Sequence, residues 1–161
     1  MKKILIMTTM LLTVVGCRNG TNDHSNKINQ TAMEQTTEKM AIEKVLLAYE
    51  NGLNTSDVSK VLQVYAQDGV FMPTTLPTAK GTEQLKESYT SIFKAIKLNV
   101  KFTIEEIVVS GDVSFAQTSS RGTTLIHANG QTVAEENREF FFLMKENGEW
   151  KISRYMFNKA K

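Results

Sequence analysis

The 161-residue chain holds one cysteine, two prolines and two histidines. A lone cysteine cannot close an internal disulfide, so the domain must be held by its core. His24 and His127 have no neighbouring cluster of His, Cys or carboxylate, so no metal is expected. Ser119-Ser120 lacks a positioned histidine, which removes the usual support for a serine nucleophile. No Gly-rich phosphate loop is present; Asn129-Gly130 and Asn147-Gly148 read as hairpin turns, and no cofactor is expected. An excess of charge of one sign is also missing. Of 19 basic residues against 17 acidic ones, Lys2 and Lys3 fall in a segment expected to be removed. The remainder is balanced, which argues against nucleic acid as a partner. The longest apolar run, Ile4 to Val15, is broken by threonines and too short to span ~30 Å of hydrocarbon as a stable helix.

That run does fit another purpose. Met1-Lys2-Lys3 is a positive n-region, Ile4–Val15 an h-region, and Val14-Val15-Gly16-Cys17 resembles a bacterial lipobox. Residues 1–16 are therefore expected to be a lipoprotein signal peptide and Cys17 the lipidation site. The other reading is an ordinary secretory signal followed by a chance cysteine. Several acyl chains on Cys17, at ~0.8 kcal/mol per buried methylene, would make the anchor effectively permanent. Arg18, rather than Asp, follows the cysteine. This points to the outer membrane if the cell has one, and otherwise to the outer face of the cell membrane. Residues 17–37, rich in Asn, Thr and Ser, are expected to be a flexible tether, and residues 38–161 a single folded domain.

Within that domain Ile42, Val45, Leu46, Tyr49 and Leu53 recur at helical spacing. Thr55-Ser56-Asp57 offers N-cap chemistry for a second, shorter helix carrying Val58, Val61, Leu62 and Tyr65. Val70-Phe71-Met72 reads as a short strand, and Pro73 and Pro77 break the chain into a loop. A third helix, capped by Thr82, carries Leu85, Tyr89, Ile92, Phe93 and Ile96. After Asn99 the period becomes two, with Phe102, Ile104, Glu106 and Val108 on one side. Strands over Val113–His127, Thr132–Lys145 and Trp150–Asn158 follow. Helices first and antiparallel strands last define an α+β fold. Glu139 to Met144 is apolar on both faces, and a second subunit is the expected cover for the outer one.

Three segments carry a likeness. They are Ala48 to Asp57, with its Leu53-Asn54-x-x-Asp57 junction; Val64 to Pro73, followed by Lys80-Gly81-Thr82-Glu83; and Arg138-Glu139-Phe140 through Gly148-Glu149-Trp150 to Asn158. Over residues 40–159 the chain resembles the nuclear transport factor 2-like superfamily, also called SnoaL-like or ketosteroid-isomerase-like, and within it the SgcJ/EcaC branch. The resemblance implies a cone-shaped, strongly curved sheet wrapped around about three N-terminal helices, with an apolar pocket. Members that isomerise ketosteroids need a carboxylate base and an oxyanion site made of a Tyr and a protonated acid. The resemblance puts Tyr49 on the oxyanion tyrosine, Met72-Pro73 where the base should be, and Phe140, beside Glu139, near the acid. Steroid isomerase chemistry is therefore not expected, and the chain leans away from catalysis.

Tyr49, Tyr65, Phe71, Met72, Tyr89 and Phe93 either line a cavity or form ordinary core. Strict alternation puts Arg154 and Asn158 on the side of Trp150 and Ile152, facing inward, and Arg154 is the leading polar pocket candidate, with Arg121 behind it. Three functions remain open: a binding module for a small, largely apolar ligand or a partner protein; an isomerase, hydratase or cyclase using Tyr49 as hydrogen-bond donor with Glu139 or Glu135 as base; and a homodimerising structural module. A pocket carboxylate held above its usual pKa would favour the enzyme.

Overall fold

The computed structural model describes residues 21–160, with side chains from residue 32 onward. The elements run α1 (Thr21–Asn54), α2 (Val58–Val64), β1 (Tyr65–Met72), β2 (Ala79–Lys80), α3 (Gly81–Ala95), β3 (Ile96–Ser110), β4 (Val113–Ile126), β5 (Thr132–Glu146) and β6 (Glu149–Lys159). Six strands form one curved sheet in the order β2-β1-β6-β5-β4-β3. The last four make an antiparallel meander, as expected. β1, by contrast, adds parallel to β6, so the sheet is mixed at that end.

The signal segment and Cys17 lie outside the described residues. The stretch expected as tether differs from expectation from Thr21 on, where it is already helix. Residues 32–37 are exposed, and burial begins in earnest at Ile42. Once Ile42, Leu46, Tyr49 and Leu53 anchor the helix against the sheet, its nucleation cost is met, and polar residues can extend it one bond at a time. The hydroxyls of Thr36 and Thr37 donate back to the carbonyls of Ala32 and Met33 along this exposed stretch.

The Leu53-Asn54-x-x-Asp57 junction has a direct structural reason. β3 is an edge strand, with backbone groups left open on its free side. Asn54 closes them as a strand would: Nδ2 donates to the Val100 carbonyl at 2.7 Å, and Oδ1 accepts from the Val100 N–H at 2.8 Å. Glu50, one helical turn earlier, accepts from the Phe102 N–H at 2.6 Å. Asp57 then caps α2 by accepting from the Lys60 N–H. For α3 the cap position is Lys80 rather than Thr82, and the Gln84 side chain holds the Lys80 N–H at 3.0 Å.

Two bulges overturn the strict alternation. In β3 the register slips between Ile104 and Glu106. Phe102 and Ile104 face the core before the slip and Ile107 and Val109 after it, while Glu106 and Val108 are exposed. In β6 the register slips at Ser153, between the Phe142–Arg154 and Leu143–Ile152 pairs. Trp150 and Ile152 face inward before it, and Tyr155 and Phe157 after it. An extra residue in one strand moves everything beyond it to the opposite face.

Gly122 on β4 is required where β3 crosses closest. A Cβ there would stand 2.0 Å from the Asn99 carbonyl oxygen and 2.8 Å from the Val100 Cα. Glycine permits the bend that turns a sheet into a cone.

Candidate functional site

The inward face of β5 divides into two halves. Phe141 and Leu143 are completely buried at the closed end of the cone. Towards the open end the same face presents Glu139, Asn137 and Glu135, all buried. β4 answers across the ladder with Ala116 in the apolar half, then Thr118, Ser120 and Thr124. Between this polar row and the helices lies a cavity of about 350 Å³, bordered by the loop Pro73-Thr74-Thr75-Leu76. Tyr49, Phe71, Tyr89, Phe102, Tyr155 and Phe157 bring aromatic rings to its walls.

Glu139 is 4 % exposed. Its carboxylate accepts from Thr118 Oγ1 at 2.5 Å and Ser120 Oγ at 2.8 Å, with Tyr155 Oη farther off at 3.5 Å. Burial pushes its pKa above the usual carboxylate value, and these hydrogen bonds recover only part of the shift. Glu135 goes the other way. Burial again acts to raise its pKa and is the largest single effect. Hydrogen bonds from Lys159, Thr124 and Asn137, with the Lys159 charge, together outweigh it and hold the pKa below normal. Asn137 lies between the two acids. Its Nδ2 donates to Ser120 and Glu135, and its Oδ1 has no partner among the described residues. The orientation of the amide is set, because a flip would turn its oxygen towards the Glu135 carboxylate.

Behind the opposite wall Tyr89 Oη meets Tyr49 Oη at 2.6 Å and Tyr65 Oη at 2.8 Å. Burial above all drives the pKa of all three phenols well above 10, so they remain neutral hydroxyls.

Of the residues singled out in the sequence, Tyr49, Phe71, Tyr89, Glu135 and Glu139 line the cavity, and Tyr65 and Phe93 are core side chains behind it. Met72, Arg121, Arg154 and Asn158 do not reach it. The Ser153 bulge turns Arg154 and Asn158 outward. Arg154 there meets Asp68 at 3.4 Å and bonds Ser153. Arg121 pairs with Glu136 at 2.9 Å on the exposed face. Met72 and Asn158 border a shallow groove on that outer face with Arg138, Phe140 and Met156. The position implied for the family's acid is likewise corrected: Phe140 is 42 % exposed, and its neighbour Glu139 is the inward residue. Thr118, Ser120, Thr124, Tyr155 and Lys159 were not singled out. Period-two reading from Glu139 across β4 could have found the three hydroxyls. Tyr155 was hidden by the bulge. Among the described residues no cluster of three or more metal-ligating side chains forms.

A cone of curved sheet closed by three helices, with an aromatic cavity carrying a buried acid, defines a nuclear transport factor 2-like protein. More narrowly, residues 46–154 match the SnoaL-like domain model, and the chain belongs to that family. A ketosteroid isomerase-like protein from Erwinia carotovora atroseptica is 31% identical, with a TM-score of 0.73 over 76% of this chain and 95% of that one. A nuclear transport factor 2-like protein from Salmonella enterica serovar Typhimurium is similar at 19% identity and TM-score 0.71, covering 79% and 94%. A hexachlorocyclohexane dehydrochlorinase is similar at 12% identity and TM-score 0.71, covering 81% and 90%. The last two likenesses concern the fold alone. No curated protein matches the chain.

Proposed function

We propose that the cone is a receptacle for one small, largely apolar molecule with a polar end, held at the cell envelope by lipid on Cys17. The observation that carries the reading is the cavity itself. It has the volume of a small-molecule site and mostly aromatic and aliphatic walls, with its polar groups converging on one side. Anchoring rests on the lipobox-like Val14-Val15-Gly16-Cys17. The SgcJ/EcaC likeness remains part of the same proposal. Native mass spectrometry of protein purified gently from its host tests the receptacle: a co-purifying organic mass supports it, and an empty cone that also binds no apolar probe counts against it. Metabolic labelling with a fatty acid tests the anchor, which requires that Cys17→Ser abolish incorporation.

A second reading, an isomerase, hydratase or cyclase, is favoured by the opposed pKa displacements of Glu135 and Glu139 within one cavity. Glu139 would act as the acid and Tyr49 as a neutral donor. The Tyr49 hydroxyl already engages Tyr89, which places it second.

On the outer face Val108, Phe140, Met144 and Met156 are exposed in neighbouring strands, with Phe115 stacked on Phe140. We propose that a second copy covers them through a twofold contact that sets this patch on itself.

A further inference from the structure

We infer that the molecule held in the cone carries a protonated amine, its ammonium group against Glu139 and its apolar body among the aromatic rings. This rests on the reading of the cavity as a ligand site and narrows it to a chemical class.

The donors and acceptors of the polar wall are unevenly spent. Thr118 and Ser120 donate to Glu139, Thr124 donates to Glu135, and the Asn137 amide N–H groups go to Ser120 and Glu135. Inward of the Lys159 ammonium at the rim, what remains on this wall is acceptor capacity, including Asn137 Oδ1, which has no donor among the described residues although the residue is 7 % exposed. A ligand carbonyl, carboxylate or phosphate would meet acceptors there. A ligand N–H would meet its complement.

Charge points the same way. Glu135, near the rim, already holds an ammonium, that of Lys159. Glu139 lies four residues deeper on the same strand face, about 13 Å along β5, and has no cation partner among the described residues. The chain thus shows how this wall receives an ammonium and leaves the second acid open. The lining rings of Tyr49, Phe71, Tyr89, Phe102, Tyr155 and Phe157 add the negative faces that attract a cation in a water-poor site.

The groups facing Glu139 are Tyr155 on β6, Tyr49 on α1, and Glu135 along β5, paired with Lys159 of β6. The tyrosines stay neutral, and Glu135 ionises below its ordinary range. Glu139 is therefore the cavity acid that ionises above the ordinary carboxylate range.

Three probes sharing one apolar body separate the possibilities: 4-phenylbutylamine, 4-phenylbutanol and 4-phenylbutyrate. Each is titrated calorimetrically into the purified protein. The amine is expected to bind at least about tenfold more tightly than the alcohol at neutral pH, and the carboxylate weakest of the three. As the pH rises above the ordinary carboxylate range the amine's affinity should increase as Glu139 ionises, while the alcohol's stays level. Glu139→Gln should remove the amine's advantage and its pH dependence, leaving the alcohol within about twofold. The pH series on the unsubstituted protein stands even if that variant folds poorly. Equal binding of amine and alcohol, or preference for the carboxylate, overturns the ammonium assignment while keeping the receptacle. Binding of none of the three overturns the receptacle and the assignment with it.

Discussion

Glu139 and Tyr89 are the two residues on which the interior's polar chemistry turns. Because burial raises the pKa of Glu139 in the folded protein, the folded state holds this proton more tightly than the unfolded chain does. Stability from this group is thus greatest below the unfolded carboxylate value and falls as the pH rises through the folded one. Glu139→Gln removes the cost of the buried charge. The melting temperature of the variant relative to the parent should therefore be more favourable at pH 7 than at pH 4; a difference that does not change with pH would contradict the assignment. Tyr89 bridges two buried hydroxyls. Tyr89→Phe leaves Tyr49 and Tyr65 without that partner and should cost about 2 kcal/mol in urea unfolding. Tyr65→Phe, which loses one bond of the three-hydroxyl chain, should cost less. At this scale the sequence was partly legible. Tyr49, Tyr89 and Glu139 were singled out from helical spacing and from the family resemblance. Their partners were not, because hydroxyls on a strand look the same whether they meet water or a buried acid.

At the scale of elements the helices were the easier half. The apolar spacing of Ile42, Leu46, Tyr49 and Leu53 is complete within one segment and needs no partner strand to be read. Strand facing was harder. Arg154 was assigned inward because an unbroken period of two from Trp150 places it there. The Ser153 bulge, which depends on pairing with both β5 and β1, places it outward against Asp68. The same slip brings Tyr155 and Phe157 to the cavity. The Glu105 bulge in β3 turns Ile107 and Val109 towards the core. Curvature also depends on Gly122, where any side chain would enter the backbone of β3. Gly122→Ala should destabilise the protein by about 3 kcal/mol, measured by chemical denaturation. A loss below about 0.5 kcal/mol would mean that β3 and β4 part without penalty.

For the whole molecule, the outer face of the sheet exposes a patch of Val108, Phe140, Met144 and Met156. If a second copy covers it, Phe140→Asp should convert a dimer to a monomer in sedimentation velocity and leave the cavity's ligand binding intact. A parent protein that sediments as a monomer at tens of micromolar would remove the dimer proposal. The sequence by itself determined the order of the helices and of every strand but the two-residue β2, the α+β class and the likeness to a cone-shaped family. Each is written in local periodicity or in a contiguous motif. Only the tertiary structure decided which side chains share the cavity, that α1 runs back to Thr21, and that Glu139 and Glu135 rather than Arg154 are turned to it. The physical reason is that a strand's facing is a property of its pairing. One unpaired residue reverses every side chain beyond it, and nothing in the strand's own composition records where that residue falls.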